Sequence, residues 1–248
     1  MGKKMVELKN IALNYHTLDG ETQALKNISF EIYEGEFVGI IGPSGCGKST
    51  LLSIISGLLV PSAGKVEVYG RMGYMLQKDH LFEWRTIWQN VILGLEIQKS
   101  LTKDAEIYVE TLLKKYGLLD FKNHYPNQLS GGMRQRAALI RTLALKPDIL
   151  LLDEAFSALD YQTRLAISDE VYKILKVEKK TAIIVTHDIS EAIAMCDRII
   201  VLSKRPAFIK KIYTIVLSCE DHSPLGCRKA PEFREYFNSI WKELDVHV

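Results

Sequence analysis

Hydrophobic and polar positions change their period along this chain, and each change predicts a different kind of element. Over the first forty residues they alternate, as in Met5-Val6-Glu7-Leu8 and Ile28-Ser29-Phe30-Glu31-Ile32, with a turn at Asp19-Gly20. Alternation of this kind predicts half-buried strands, so an antiparallel β region opens the chain. A continuous apolar run follows, Phe37-Val38-Gly39-Ile40-Ile41, then a Gly-rich loop and a helical segment from Lys48 to about Leu58, closed by Pro61. Strand, loop and helix in that order are the repeating unit of parallel α/β sheets.

From about Trp88 to Ala144 helical spacing takes over. Ile107, Thr111 and Leu112 are expected on one helix face, and Met133, Ala137, Ile140 and Leu143 on another. Strand-like runs return at Ile149-Leu150-Leu151-Leu152, Ala182-Ile183-Ile184-Val185 and Arg198-Ile199-Ile200-Val201-Leu202. The tail from Pro231 to Leu244 begins with a helix-start proline and spaces Phe233, Phe237, Ile240, Trp241 and Leu244 as a helix does. The expectation is an α/β fold with a helical insert.

Composition narrows the class. The chain has 248 residues, 47% hydrophobic and 25% charged, with 32 Lys+Arg against 30 Asp+Glu for a formal net charge of +2. A chain of this length buries enough surface to need no covalent staple, which excludes a mini-protein, and the composition excludes disorder. The basic residues come as scattered pairs, such as Lys179-Lys180 and Lys210-Lys211, so no nucleic-acid partner is expected. No apolar run approaches a membrane span, and no apolar segment of signal-peptide type follows Met1-Gly2-Lys3-Lys4. The four cysteines, Cys46, Cys196, Cys219 and Cys227, show no metal or disulfide spacing and read as reduced thiols of a cytosolic protein.

Candidate chemistry begins at Gly42-Pro43-Ser44-Gly45-Cys46-Gly47-Lys48-Ser49, a P-loop pattern seated between a strand and a helix. Glycines there let backbone N–H groups turn toward phosphate oxygens, Lys48 reaches the β/γ-phosphates, and Ser49 offers a hydroxyl to Mg²⁺. The apolar run Ile149 to Leu152 ends in Asp153-Glu154: Asp153 to hold the metal and Glu154 to polarise water, or both to cap the next helix. Leu129-Ser130-Gly131-Gly132-Met133 puts a hydroxyl and two glycines at a helix start, a second anion-binding design. Two such sites in a chain with one P-loop suggest that two chains share each nucleotide.

At this segment the sequence resembles the ATPase subunit of an ATP-binding cassette (ABC) transporter, whose signature it matches, and the resemblance runs along essentially the whole chain. It implies a P-loop ABC ATPase fold: a mixed central sheet, an N-terminal antiparallel β region and a helical subdomain, with a RecA-like core about 1–78 and 146–205, the helical part about 79–145 and a C-terminal strand and helix about 206–248. It implies that Tyr15 stacks on adenine, that the phosphate loop from Gly42 through Thr50 holds ATP, and that Gln77 touches Mg²⁺ and the attacking water. It also places Ser130, Gly131, Gly132 and Asp160 across a dimer interface and His187 at the γ-phosphate. Taken alone, Tyr15 reads equally as a strand aromatic and Gln77 as a surface polar residue. The implied partners are a second copy of the chain, an integral membrane permease and, indirectly, an extracytoplasmic solute-binding protein, with the chain peripheral on the cytoplasmic face of the membrane.

Leu81-Phe82-Glu83-Trp84-Arg85-Thr86 and the tail around Arg228 to Phe233 resemble the nitrate, sulfonate and taurine importer branch, which also takes up pyrimidine precursors. Glu83 stands where that branch commonly has proline. Leu81, Phe82 and Trp84 are expected at the permease contact, or alternatively in the core. Cys46 is a candidate for a lowered thiol pKa beside Lys48, or else incidental. Two other readings share the motifs: the ATPase of an exporter or lipoprotein-release complex, and a soluble ABC protein of DNA or ribosomes, against which the lack of a heptad run between Lys48 and Ser130 argues.

Overall fold

A computed structural model describes residues 2–17, 20–157, 159–219 and 223–244. Asp19 of the expected turn and Ala158 of the loop before Asp160 lie outside the described residues. Two long strands, β1 (Lys4–Thr17) and β2 (Gly20–Tyr33), pair antiparallel, and β4 (Ala63–Val68) joins the other edge of β1. Along β2 the expected alternation holds, with Ile28, Phe30 and Ile32 buried and Ser29 exposed. On β1 it does not: as the middle strand it buries Met5, Val6 and Leu8 together with Glu7, which is 6% exposed. Glu7 is tolerated there because Lys4 and Lys9 bond its two oxygens at 2.6 and 3.0 Å.

The second sheet has six strands in the order β5 (Met72–Met75), β6 (Ile149–Asp153), β7 (Thr181–Val185), β3 (Phe37–Ile41), β8 (Arg198–Leu202) and β9 (Ile209–Thr214). The first five run parallel and β9 is antiparallel to β8, so the sheet is mixed. Strands β3, β6 and β7 are buried at every residue, the physical reason their sequences are unbroken apolar runs. Alternate residues serve two cores. Val38, Ile40, Leu151 and Ile183 face the antiparallel sheet, with α1 (Lys48–Ile55) also packed into that core through Leu51, Leu52, Ile54 and Ile55. Phe37, Leu150, Leu152 and Ile184 face the larger, helical core.

That core is completed by α2 (Ile87–Val91), α3 (Leu93–Ile97), α4 (Lys103–Lys115), α5 (Gly131–Leu143), α6 (Tyr161–Val177), α7 (Ile189–Met195) and α9 (Pro231–Glu243), with the short α8 (Pro224–Cys227) set against α6 and α7. On α5 the expected face holds, with Ala137, Ile140 and Leu143 buried. On α4 it holds only at Leu112: Ile107 is 63% exposed and Thr111 donates to its carbonyl, while Val109 and Leu113 go inward with Leu112. The spacing 109, 112, 113, 116 continues into buried Tyr116, and the longer apolar stripe wins. Helix α1 ends before Leu58 because Gly57 turns to φ 75° and the N–H groups of Gly57 and Leu58 reach back to Ile54 and Ser53.

The cysteines also depart from expectation. Cys219 and Cys227 are joined as a disulfide, and only Cys46 and Cys196 are free. The Cα atoms of Cys219 and Cys227 stand 5.1 Å apart, within reach of the bond, a proximity that linear spacing does not reveal.

Candidate functional site

In an open parallel sheet, ligands sit beyond the carboxyl ends of the strands where the order reverses. Here β3 lies between β7 and β8, and its carboxyl end runs into Gly42. The loop from Gly42 to Ser49 turns at Gly45 and Gly47, with φ of 71° and 119°. Gly42 has no room for a side chain: a Cβ there would stand 2.9 Å from Cys46 Sγ and 3.1 Å from Leu202 Cβ. Gly47 caps α1 without any side-chain hydrogen bond, so the first-turn N–H groups of the helix keep no side-chain acceptor. Lys48 is buried and folds back, its Nζ donating to the Gly42 and Pro43 carbonyls at 2.9 and 3.1 Å.

The neighbouring strands bring oxygen donors to the same place. Ser49 Oγ donates to Asp153 Oδ1 at 3.1 Å, and Tyr74 Oη to Oδ2 at 3.3 Å. Burial pushes the Asp153 carboxyl above its ordinary value, against those two hydrogen bonds. The Tyr74 phenol is pushed up to about 12 by burial and by Asp153. Glu154 next to it adopts φ 46°, a left-handed conformation rare for glutamate, pinned by its N–H to the Val185 carbonyl at 2.8 Å. Gln77 Nε2, two residues beyond β5, donates to Glu154 Oε2 at 2.9 Å, and His187 Nδ1, two beyond β7, lies 3.5 Å from that oxygen. A cleft of about 370 Å³ results, lined by Ser44, Gly45, Gly47, Lys48, Ser49, Thr50, Gln77, Glu154 and Arg205. At its edge half-exposed Tyr15 meets Thr50, hydroxyl to hydroxyl at 3.2 Å.

Ser130, Gly131, Gly132 and Asp160 do not line this cleft. Ser130 caps α5 by accepting from the Met133 N–H at 3.3 Å, at the helix start where the sequence placed it. Gly132 packs at the loop that holds Asp160: a Cβ on it would stand 3.4 Å from Leu159 and from Thr163. Asp160 is exposed and accepts from the Thr163 N–H, which holds its carboxyl below the ordinary value. Cys46 is 1% exposed, and burial pushes its thiol up despite Lys48, which favours the incidental of its two readings over a lowered pKa.

Several residues the motifs did not single out hold the site together. Arg164 Nη2 donates to the Leu159 carbonyl at 3.1 Å, and its Nη1 lies 3.5 Å from Asp188, tying the Asp160 loop to the His187 loop. Asp188 caps α7 and leads to buried Glu191, whose carboxyl burial pushes up. Beyond Gln77, Arg141 donates to the Asp79 and His80 carbonyls at 2.6 and 2.7 Å and Arg134 pairs with the Asp79 carboxylate, fastening that segment to α5. Asn90, fully buried, exchanges bonds with the Phe82 backbone and donates to the Arg85 and Thr86 carbonyls. This staple presents Phe82 and Trp84 outward, 37% and 73% exposed with ring centroids 4.8 Å apart, while Leu81 turns into the core. None of these roles has a linear signature.

Comparison with known proteins gives the family. The family model for ABC transporters matches residues 25–157. The chain is 47% identical to the uncharacterized ABC transporter ATP-binding protein YtlC of Bacillus subtilis, over 97% of its own length and 95% of the relative's. It is 38% identical to the taurine import ATP-binding protein TauB of Jannaschia sp., over 94% and 91% of the two chains. With the nitrate import ATP-binding protein NrtD of Synechocystis sp. it shares 39% identity over 89% and 88%. Among solved structures, the dimeric post-hydrolysis state of the ATP-binding cassette MJ0796, bound to ADP and Pi, superimposes with a TM-score of 0.76 at 34% identity, covering 86% of this chain and 99% of that one. A phosphate loop at a sheet switch point and likeness in both sequence and structure lead to one statement: the chain belongs to the ATP-binding family of ABC transporters and is an ATPase with the P-loop fold of that family.

Proposed function

We propose that the chain is the ATP-hydrolysing subunit of an ABC importer, working as a head-to-tail dimer at the cytoplasmic face of a membrane to drive uptake of a small solute such as taurine, another sulfonate, nitrate or a vitamin precursor. One observation carries the dimer: the signature residues stand outside the cleft that their own chain forms. In the proposed sandwich, Ser130, Gly131, Gly132 and Asp160 of one copy close over the phosphate loop of the other. The ADP-bound dimer of MJ0796 and the names of the taurine and nitrate relatives support the reading. A RecA-like core (about 1–78 and 146–205), a helical part (about 79–145) and a C-terminal part (about 206–248) are the proposed working units.

Within each cleft Tyr15 stacks on adenine, while Lys48 and the N–H groups from Gly42 through Thr50 hold the phosphates. Hard oxygen donors fit Mg²⁺: the Ser49 hydroxyl and Asp153 carboxylate are already in contact, Gln77 lies nearby, and Asp153 is a buried carboxylate whose charge a cation would compensate. Bound there, the cation would offset charge on the β- and γ-phosphate oxygens. Glu154 polarises water and takes its proton, with Gln77 and His187 orienting it from either side. The pair Phe82–Trp84 forms the permease contact, with a solute-binding protein on the far side of the membrane. No helix among the described residues is long and apolar enough to cross a membrane, which is why a separate permease is proposed.

Glu154→Gln tests the chemistry: ATP should drive it into a stable dimer while turnover falls about 10²- to 10⁴-fold, and wild-type turnover would remove Glu154 as the base. Affinity purification from solubilised membranes tests the import reading. Recovery of a multi-span permease with a solute-binding protein is expected, and recovery with ribosomes or chromatin would overturn it.

A further inference from the structure

Five parallel strands end at the cleft, and four deliver residues already discussed: the phosphate loop, Gln77, the Asp153–Glu154 pair and His187. The fifth, β8, delivers Arg205. Its Nη2 donates to the Gly45 carbonyl at 2.8 Å, and its side chain forms part of the cleft wall with Lys48, Ser49 and Glu154. Its backbone is anchored against the same segment that backs the phosphate loop. Ala207 donates to the Ala24 carbonyl and Lys26 to the Ala207 carbonyl, at 2.9 and 2.8 Å. Leu25 between them is the side chain a Cβ on Gly47 would meet. Ser203 Oγ closes the turn, accepting from the Phe208 N–H at 3.0 Å.

Arg205 thus has a fixed base and a guanidinium on an exposed carbonyl. That acceptor is neutral, while a guanidinium carries five donors in a fork matched to phosphate oxygens. With a phosphate the guanidinium makes two parallel bonds to a group of full opposite charge, where with the carbonyl it makes a single bond to a neutral acceptor, so a polyphosphate is the stronger partner. Arg205 and Gly45 line the same cleft as Gln77 and Glu154, the groups assigned to the attacking water, whereas Tyr15, assigned to the nucleoside, is not among its lining residues and meets it only at Thr50. We propose that Arg205 moves from the Gly45 carbonyl onto the terminal phosphate of a bound nucleoside triphosphate and so sets the preference for triphosphate over diphosphate. The inference rests on the ATP-site reading given above.

The test is titration calorimetry on the full chain with ADP and with the β,γ-imido analogue of ATP. Arg205→Ala is expected to weaken the analogue by about tenfold and ADP by less than about threefold, the size of one charge-assisted bond, with Arg205→Lys restoring part of the loss. Arg205→Gln keeps a donor for the Gly45 carbonyl and removes the charge, so it should behave as the alanine variant does. Equal weakening of both nucleotides by Arg205→Ala, or wild-type discrimination by Arg205→Gln, would show that Arg205 only braces the loop and would overturn the proposal. If the wild-type chain binds neither nucleotide, the ATP-site reading fails along with it. If the wild-type chain binds both and Arg205→Ala changes neither affinity, only the Arg205 assignment falls.

Discussion

Helices α1 and α5 both begin at glycine-rich turns, yet their N-termini are finished in opposite ways. At α1 the cap is Gly47, no side chain satisfies the first turn, and Lys48 lies buried beside the loop. At α5 the cap is Ser130, whose oxygen accepts from Met133; Gly131 is exposed with only Arg134 near it, and Gly132 packs against Leu159 and Thr163. In the proposed function one end is an anion seat built by a single chain, and the other a self-capped surface that covers the site of a second copy. The difference teaches that a glycine-rich helix start is not one kind of structure: one leaves its first turn uncapped by side chains and the other satisfies it from within.

The strongest way to break this contrast is to disable each end in turn. Lys48→Ala should lower the ATP affinity of the isolated chain by roughly 30-fold, the loss of charge-assisted bonds worth about 2 kcal/mol. Ser130→Ala should leave that affinity within about twofold yet lower turnover by about 10²-fold, the cost of one donor missing from a charge-stabilising set. Matching losses in equilibrium binding would erase the distinction. Glycine replacements come next in size. Gly42→Ala is expected to lower the melting temperature by several degrees, because its new methyl meets Cys46 and Leu202, a conflict of about 1–3 kcal/mol. Gly131→Ala has only an Arg134 guanidinium nitrogen near, 3.9 Å away, and should melt within a degree or two of wild type; an equal drop for both would mean the two turns are equally crowded.

A third helix start sharpens the picture. Asp188 caps α7 fully and leads into Glu191, whose raised carboxyl pKa makes the native state bind the proton more tightly than the unfolded chain does. Its contribution to stability is therefore complete below the unfolded glutamate value of about 4.3 and is lost as pH rises through the raised native value. Glu191→Gln should raise the melting temperature at pH 8 and give little or no gain near pH 4, and a lower melting temperature at pH 8 would contradict the burial argument. The smallest expected effect concerns Cys46, which should react with iodoacetamide far more slowly in the folded chain than after denaturation. Labelling at the denatured rate would place the thiol on the surface of the loop.

What could be read along the chain was whatever chemistry travels as a short local string. The phosphate loop, the apolar strand ending in Asp153-Glu154 and the Ser130 turn each declare themselves within ten residues. The two-sided strands were legible because burial on both faces leaves no polar position. Arg205 was not, since its partner Gly45 is 160 positions away and no periodicity links them. Asn90 and Arg164 escaped for a related reason: each satisfies backbone carbonyls, and a carbonyl has no residue type to recognise. The buried face of α4 was legible only at Leu112 because two stripes compete on that helix, and only the packing of Val109 and Leu113 chooses between them. The Cys219–Cys227 link depends on the two Cα atoms coming within reach of the bond, which spacing alone cannot encode.

The grip of Arg134 and Arg141 on Asp79 and His80 has a mechanical meaning. Helix α5 has 13 residues and so a length of about 20 Å, with Ser130 at one tip and Arg141 close to the other. The segment carrying Gln77 and, a few residues on, Phe82 and Trp84 is clamped along this rod at two points about two turns apart, which resists swivelling. In the proposed permease contact, force applied at the aromatic pair would be delivered as rotation of a stiff lever that carries the Ser130 turn at its tip, and work would travel the same route in reverse.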